Sequence, residues 1–338
     1  MSAAVVTRIR NAKRMVLEDY KLKFDISVII VNYNTAALLP KMLKDLNAAT
    51  ENFRVRKIMI DNASRDDSQA YMRSHLADWE LIFNQANVGF GRANNQALPK
   101  LQGRYVLLLN TDAFVSEDTL VKTLAYMDSH PECGILGVRL VGRDAVLQPS
   151  CRYFPTPWNL FLQKAGLTKW FKCTKLMDDM NWDHASVRVC DWVPGCYYLI
   201  RREVIDQVGL FDPRYFLYYE EVDHCFAAKK AGWQVHYYPD TTVVHIGGES
   251  AKSDGEITSS GRQLMALQVE SELLYFRKNH GRIAVFANVI LSTLASLIIL
   301  AKAMIKMRKP IQFASIWQQI LMTWKTYFKT SFGTRATR

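Results

Sequence analysis

Apolar and polar positions fall in short alternating blocks through the first half of the chain. Ile26 to Val31 is a β-branched apolar run closed by Asn32-Tyr33-Asn34-Thr35, after which Leu38, Leu39, Met42, Leu43 and Leu46 recur at helical spacing. The pattern predicts a buried strand, then a helix with Thr35 as its N-cap. Lys57 to Ile60 predicts a second strand ending in Asp61-Asn62-Ala63-Ser64, with Ser64, Asp66 and Asp67 reading as a capped, acidic helix start. Leu81 to Phe83 makes a third strand. Gly89 and Gly91 then open a helix through Asn94, Asn95 and Leu98, and small residues there permit close backbone approach to a ligand.

The most informative stretch is Tyr105 to Val115, YVLLLNTDAFV. An apolar run this short suits a strand buried on both faces of a parallel sheet. Polarity switches at Asn110-Thr111-Asp112, and ligands of open α/β sheets bind outside the carboxyl ends of such strands. An Asn and an Asp two residues apart can hold a hard cation and, through it, a diphosphate. A capped turn is the alternative for an isolated motif of this kind. A helix from about 116 to 129, stopped by Pro131, and a strand from Gly134 to Val141 follow. Four strand–helix alternations indicate a parallel sheet covered on both faces.

Between about 155 and 187 the period is lost, which suits a lid or an acceptor-side insertion. Pro194-Gly195 then turns into an aromatic strand ending at Arg201, Glu220 to Ala231 reads as a helix ended by Gly232, and Gln234 to His245 is extended. Residues 250–260 are small and polar, a mobile loop by composition. Glu220, Glu221 and Asp223 open the predicted helix beside several aromatics. Such a cluster is either a solvated helix start or a general base whose pKa is shaped by like charges and partial burial. On a helix Glu220 and Asp223 share a face, and Glu221 points away from it. His245, followed by two glycines, is a candidate metal ligand or phosphate contact, or an ordinary structural histidine.

With 49% hydrophobic and 22% charged residues in 338, the chain has a globular composition. Its net charge of +11 lies wholly in the tail: 277–338 hold 11 Lys or Arg and no acid, while 1–276 carry 32 of each sign. Ile283 to Ala301 is 19 residues without a charge, long enough for a span, a re-entrant hairpin or a buried helix. Beyond Pro310, Phe313, Ile316, Trp317, Ile320, Leu321, Trp324, Tyr327 and Phe328 make one helical stripe. That stripe suits an interfacial helix on an anionic membrane surface better than it suits nucleic acid, and a helix packed on the protein is the alternative.

Six cysteines without a CxxC pair read as reduced, mostly buried thiols of a cytoplasmic protein. No signal peptide is expected, because Arg8, Arg10, Lys13 and Arg14 precede no apolar core. A nicotinamide oxidoreductase is disfavoured by a first strand–helix turn without glycine.

Taken in order, SVIIVNYN, IMIDNAS, NVGFGRANN, LLLNTDA, VPGCYYLIRRE, YEEVDHC and VVHIGGES resemble the family-2 nucleotide-sugar glycosyltransferases of the GT-A fold, closest to the rhamnosyltransferase-like branch that builds bacterial cell-envelope polysaccharides. The resemblance covers about residues 25–250. It implies an α/β, Rossmann-like, mostly parallel sheet flanked by helices as the catalytic domain (25–276), between an N-terminal extension (1–24) and a basic membrane-associating tail (277–338). Asn32, Asn34, Asp61, Asn94, Asn110, Asp112 and Gly195 would bind the nucleotide sugar, dTDP- or UDP-linked. Asp112 and His245 would hold Mg²⁺ or Mn²⁺. Glu221, where the family usually has Asp, would be the base, with Glu220 and Asp223 as neighbours. One base without a second nucleophilic carboxylate suits a single inverting displacement. The implied acceptor is a lipid-linked saccharide at the cytoplasmic face of the membrane, reached peripherally or through one hydrophobic segment. A non-catalytic, membrane-anchored nucleotide-sugar-binding protein is the competing expectation.

Overall fold

Among the described residues, ten strands form one sheet in which side chains alternate between two cores, and the alternation follows directly from the apolar runs. The computed structural model describes residues 23–171, 173–247, 262–305 and 310–338. Strands β1 (Phe24–Asn32), β2 (Val55–Asp61), β3 (Glu80–Phe83) and β4 (Gly103–Leu109) pair parallel in the order β3-β2-β1-β4. In β4, Val106 and Leu108 enter one core while Tyr105, Leu107 and Leu109 enter the other; in β1, Ile29 opposes Ile26, Val28 and Ile30 in the same way. Helices α1 (Leu39–Thr50), α2 (Ser68–His75) and α4 (Thr119–Ser129) cover one face, while the short helix α3 (Phe90–Asn95) lies on the other.

Beyond β4 the sheet becomes mixed. Strand β9 (Tyr197–Arg201) inserts antiparallel between β4 and β6 (Cys133–Val141), and β10 (Gln234–His245) runs parallel to β6. The two-residue strand β5 (Ala113–Phe114) pairs antiparallel with the end of β10, while β7 (Leu147–Gln148) and β8 (Arg188–Cys190) flank β6 and β10. The central strand is therefore buried on both faces as expected, with a parallel neighbour on one side and an antiparallel one on the other.

Two expected caps are replaced by longer-range contacts. The Thr35 hydroxyl caps no helix: it donates to Asn32 Oδ1 at 2.7 Å and lies 2.9 Å from the Thr111 hydroxyl. Ser64 starts no helix either, since α2 begins at Ser68 and Ser64 Oγ accepts from Asn32 Nδ2 and the Asn34 N–H. Thr35 thus bonds back to Asn32 and meets the turn after β4, while Ser64 is tied to the end of β1. The stretch expected to be irregular contains helix α5 (Pro157–Ala165), started by a capping box at Thr156. Helix α6 (Arg202–Val208) follows β9, and α7 (Glu220–Lys230) is closed by Gly232 at φ +96°.

The C-terminal segment is two helices, α8 (Arg262–Ile305, broken at Gly281) and α9 (Pro310–Lys329). The boundary expected at 277 thus falls inside a helix whose Leu273, Leu274, Tyr275 and Phe276 belong to the sheet's own core. The apolar stripe of α9 divides: Ile320, Trp324 and Tyr327 pack inward, and Trp317, Leu321 and Phe328 are exposed. Helix α8 contains a stretch long and apolar enough to cross a membrane, although Val285 and Val289 are buried against protein. The basic N-terminal residues, the 250–260 loop and Lys306, Arg308 and Lys309 lie outside the described residues.

A Cβ at Gly103 would sit 2.3 Å from the Ser27 backbone nitrogen and 2.5 Å from the Ile26 carbonyl carbon. Backbone cannot yield as a side chain can, so Gly103→Ala is expected to cost at least about 2 kcal/mol. Arg104→Ala, which removes an exposed ion pair with Asp128, should cost under about 1 kcal/mol. Urea denaturation of both variants measures the contrast.

Candidate active site

The registers of β1 with β2 and β4 bring Asn32, Asp61 and the Asn110–Asp112 turn to one edge of the sheet. There Asn32 Nδ2 donates to Asp61 Oδ2 at 2.8 Å, and Asp61 Oδ1 accepts from the Ser64 N–H and from Gln69 Nε2. Asp61 is fully buried, so three of its acceptor sites serve the loop that it shapes. Asn34 sits at φ +53° with its Oδ1 accepting from the Arg65 N–H, and its buried Nδ2 has no partner among the described residues.

The glycine loop behaves differently from the expectation. Gly89 at φ +89° is needed because Phe216 O would lie 2.4 Å from a Cβ, and Gly91 makes room for the side chain of Glu220. The close approach is to the protein's own segment 216–220. Asn94 is buried and bonds back to Phe90 O, whereas its neighbour Asn95 exchanges two hydrogen bonds with the Phe211 backbone.

After β4 the chain turns through Asn110, whose N–H donates to Cys196 O, and pairs β5 with β10. The Ile246 N–H then donates to Asp112 O, and His245 Nε2 comes to 3.6 Å from Asp112 Oδ1. Gln148 fixes the imidazole. Its Nε2 donates to His245 O at 2.8 Å, so its Oε1 must accept, and His245 Nδ1 at 3.0 Å carries the proton. That leaves the Nε2 lone pair facing a carboxylate. Burial lowers the His245 pKa, against the pull of the Asp112 charge, and so favours the neutral ring.

Two electron-rich atoms facing each other are stabilised by a cation between them. Ligands about 2.1 Å from an octahedral ion lie roughly 3–4 Å apart, so the donor set fits a divalent ion. Among the described residues no third His, Cys, Asp or Glu converges there, which leaves coordination positions for a ligand's oxygens and water. Sequence reasoning missed Gln148, which lies in a two-residue strand with no motif to mark it.

The three carboxylates of α7 have separate environments. Asp223 is buried and accepts from Lys278 Nζ at 2.6 Å and Asn279 Nδ2 at 2.7 Å. Glu220 is buried beside Gly91, with Oε1 unpaired among the described residues; burial, then the Glu221 charge, push its pKa up to about 8. Glu221 is half-buried. Burial raises its pKa, opposed by its own N–H, the Arg152 guanidinium and the Gly195 N–H. Burial is also the main reason that the Cys196 thiol titrates high, and the charges of Asp112 and Glu221 both add to it. Arg152, paired with Asp178 and stacked 4.1 Å over the Trp192 ring, is a second group that motif reading did not single out. Tyr218 and Tyr219, just before α7, hold φ of +71° and +70°. Such backbone costs bulky residues on the order of 1–3 kcal/mol each and persists only where the surroundings over-determine it.

Residues 27–187 match the profile of the family described as Glycosyl transferase family 2, so the match ends before α7. N-acetylglucosaminyl-diphospho-decaprenol L-rhamnosyltransferase of Mycobacterium tuberculosis H37Rv is 27% identical over 246 residues, covering 67% of this chain and 78% of the relative. Rhamnosyltransferase WbbL of Escherichia coli K12 is 27% identical over 239 residues, covering 67% and 85%. Among solved structures, the Pyrobaculum calidifontis mannosyltransferase PcManGT, in complex with GDP-Man and Mn²⁺, superposes with a TM-score of 0.52 at 14% identity, covering 97% of this chain and 94% of that one. At that identity the likeness establishes the fold alone, a GT-A sheet with flanking helices.

Because the folded state raises the Glu220 pKa from 4.5 to about 8, the native protein holds a proton that the unfolded chain loses between those values. Stability from this group is therefore present at low pH and falls as pH rises towards 8, by at most about 1.4 kcal/mol per pH unit. Glu220→Gln removes the penalty, so its melting temperature relative to wild type should climb between pH 5 and pH 8. A constant difference would contradict the burial of an ionisable group there.

Proposed function

We propose that this chain, a family-2 glycosyltransferase that is rhamnosyltransferase-like in its sequence, moves a sugar, rhamnose first among the candidates, from a dTDP- or UDP-linked donor to a hydroxyl of a lipid-linked envelope saccharide, with inversion. The observation that carries the reading is the pairing of Asp112 Oδ1 with the lone pair of His245 Nε2. Support for the sugar and the acceptor comes from the mycobacterial and E. coli relatives.

Asp112 and His245 would hold Mg²⁺ or Mn²⁺, which when bound neutralises charge on a departing diphosphate. Asn32, Asn34, Asp61, Asn94 and Asn110 form or support the nucleotide subsite, and the unpaired Asn34 Nδ2 supplies a free donor. Glu221 takes the proton of the acceptor hydroxyl. Asp223 is held by Lys278 and Asn279, and Glu220 is mostly protonated at neutral pH, so neither competes well for that role. The Gly195 N–H and the Arg152 guanidinium oppose the rise that burial causes in the Glu221 pKa. With one such base, attack on the anomeric carbon from the side opposite the diphosphate gives inversion.

The acceptor lipid places the enzyme at a bilayer, and the tail offers a docking face. Ile283, Phe286, Leu294, Leu297, Trp317 and Leu321 are exposed in a segment whose charges are all positive. We assign this face to peripheral binding at the anionic cytoplasmic leaflet, through apolar insertion and basic attraction together.

Asp112→Ala, or chelation of wild type, should abolish transfer, while Glu221→Gln should keep donor affinity and lose transfer by a factor of about 10² to 10⁴. Transfer from dTDP-rhamnose with Mn²⁺, alongside nucleotide binding, checks both; full activity in excess chelator sinks the metal assignment. For the docking face, Trp317→Ser combined with Leu321→Ser should weaken co-sedimentation with anionic vesicles by tenfold or more, given about 0.8 kcal/mol per buried methylene. Binding equal to wild type would remove α9 from the interface.

A further inference from the structure

One face of α8 carries Ser271, Glu272, Tyr275, Lys278 and Asn279, a stripe about a third of the helix circumference wide. All five reach either the segment that leads into α7 or the first turn of α7. Ser271 Oγ donates to Leu217 O at 2.8 Å. The Tyr219 hydroxyl donates to Glu272 Oε2 at 3.2 Å, and the ring of Tyr219 packs on that of Tyr275 with centroids 5.4 Å apart. Lys278 Nζ bridges Asp223 and Asp212 at 2.6 and 2.7 Å, and Asn279 completes the grip on Asp223 at 2.7 Å. Two residues later the helix breaks at Gly281, φ +85°, so the stripe ends where the contacts end.

The gripped segment contains the two left-handed tyrosines and opens the helix that carries Glu220 and Glu221. Left-handed backbone at two successive bulky residues relaxes unless contacts hold it. Apolar packing of α8 is supplied by Leu273, Leu274 and Phe276. The polar contacts are not needed to bury the helix; what they add is a fixed direction and register.

We propose that this face of α8 is a positioning clamp for the base, with Glu272, Lys278 and Asn279 as positioning residues that touch no substrate. The proposal rests on Glu221 being the base, as argued above. Through the clamp, the helix whose far end faces the membrane also sets the geometry of the α7 first turn. Displacing a reacting group by about 1 Å can cost on the order of 10²-fold in rate with little change in binding.

The test uses full-length wild type, Lys278→Met and Lys278→Arg. Three measurements are made: dTDP binding with Mn²⁺, kcat and KM for transfer from dTDP-rhamnose, and amide hydrogen exchange. Lys278→Met keeps most of the stem's packing and removes the charge. Expected are exchange in 217–224 faster by about tenfold or more with β1 and β4 unchanged, a kcat lower by about 10- to 100-fold, and a donor KM within about twofold. Lys278→Arg should recover most of the kcat. Unchanged exchange in 217–224 overturns the clamp, as does a wild-type kcat despite faster exchange. Equal loss of protection in β1 and β4 also overturns it, by making Lys278 a general stabiliser. If Glu221→Gln transfers sugar like wild type, the base assignment fails instead, and the exchange data still decide whether the turn is clamped.

Discussion

Two residue pairs of antiparallel sheet carry much of this site. Ala113 and Phe114 pair with His245 and Val244, closing a separation of more than a hundred residues. Without that pairing Asp112 would end an ordinary strand turn and His245 would end an edge strand. With it, a carboxylate oxygen and an imidazole lone pair face each other at 3.6 Å. The local cost is set by electrostatics: two electron-rich groups are brought together and partly shielded from water, a cost that a bound cation would offset. Within the sheet, β9 and β6 lie between β4 and β10 and hold the two at a fixed spacing.

The acidic helix start shows the same logic. Three carboxylates within four residues repel one another, and the fold separates them by environment. Asp223 is neutralised by Lys278, Glu220 keeps its proton through burial, and Glu221 retains an exposed edge with Arg152 and the Gly195 N–H behind it. The three groups are thereby set apart, and Glu221 is the one with an exposed edge. A strained turn at Tyr218–Tyr219 aims that group, and the C-terminal helix holds the turn. Catalytic domain and tail are in this respect one mechanical unit, although their charge balance differs sharply.

Much of the fold is legible in the chain because burial on both faces imposes a visible pattern. Runs such as ISVIIV and YVLLL leave no polar position for solvent, and each abrupt polar switch marks the sheet edge where ligands bind. Gln234 to His245 is also bounded as the sequence predicts, although it mixes buried and exposed positions. Local capping rules failed at Thr35 and Ser64, because their hydroxyls also found partners, Thr111 and Asn32, 76 and 32 residues away. The glycine loop was legible as a close approach, but its partner, Phe216, was not.

What the sequence determined by itself is the set of chemical groups and their order: strands, helices, an NTD turn, an acidic helix start, a basic apolar tail. These follow from side-chain transfer energies and backbone propensities, which act over a few residues. Which carboxylate is free, which nitrogen of His245 bears the proton, and which side of the tail faces solvent were decided only in three dimensions. Each depends on a partner remote in the chain: Lys278 for Asp223, Gln148 for His245, and Thr293, on α8, for Trp324. Pairwise electrostatics and packing act through space at a few ångströms, and sequence separation carries no information about them until the sheet has closed.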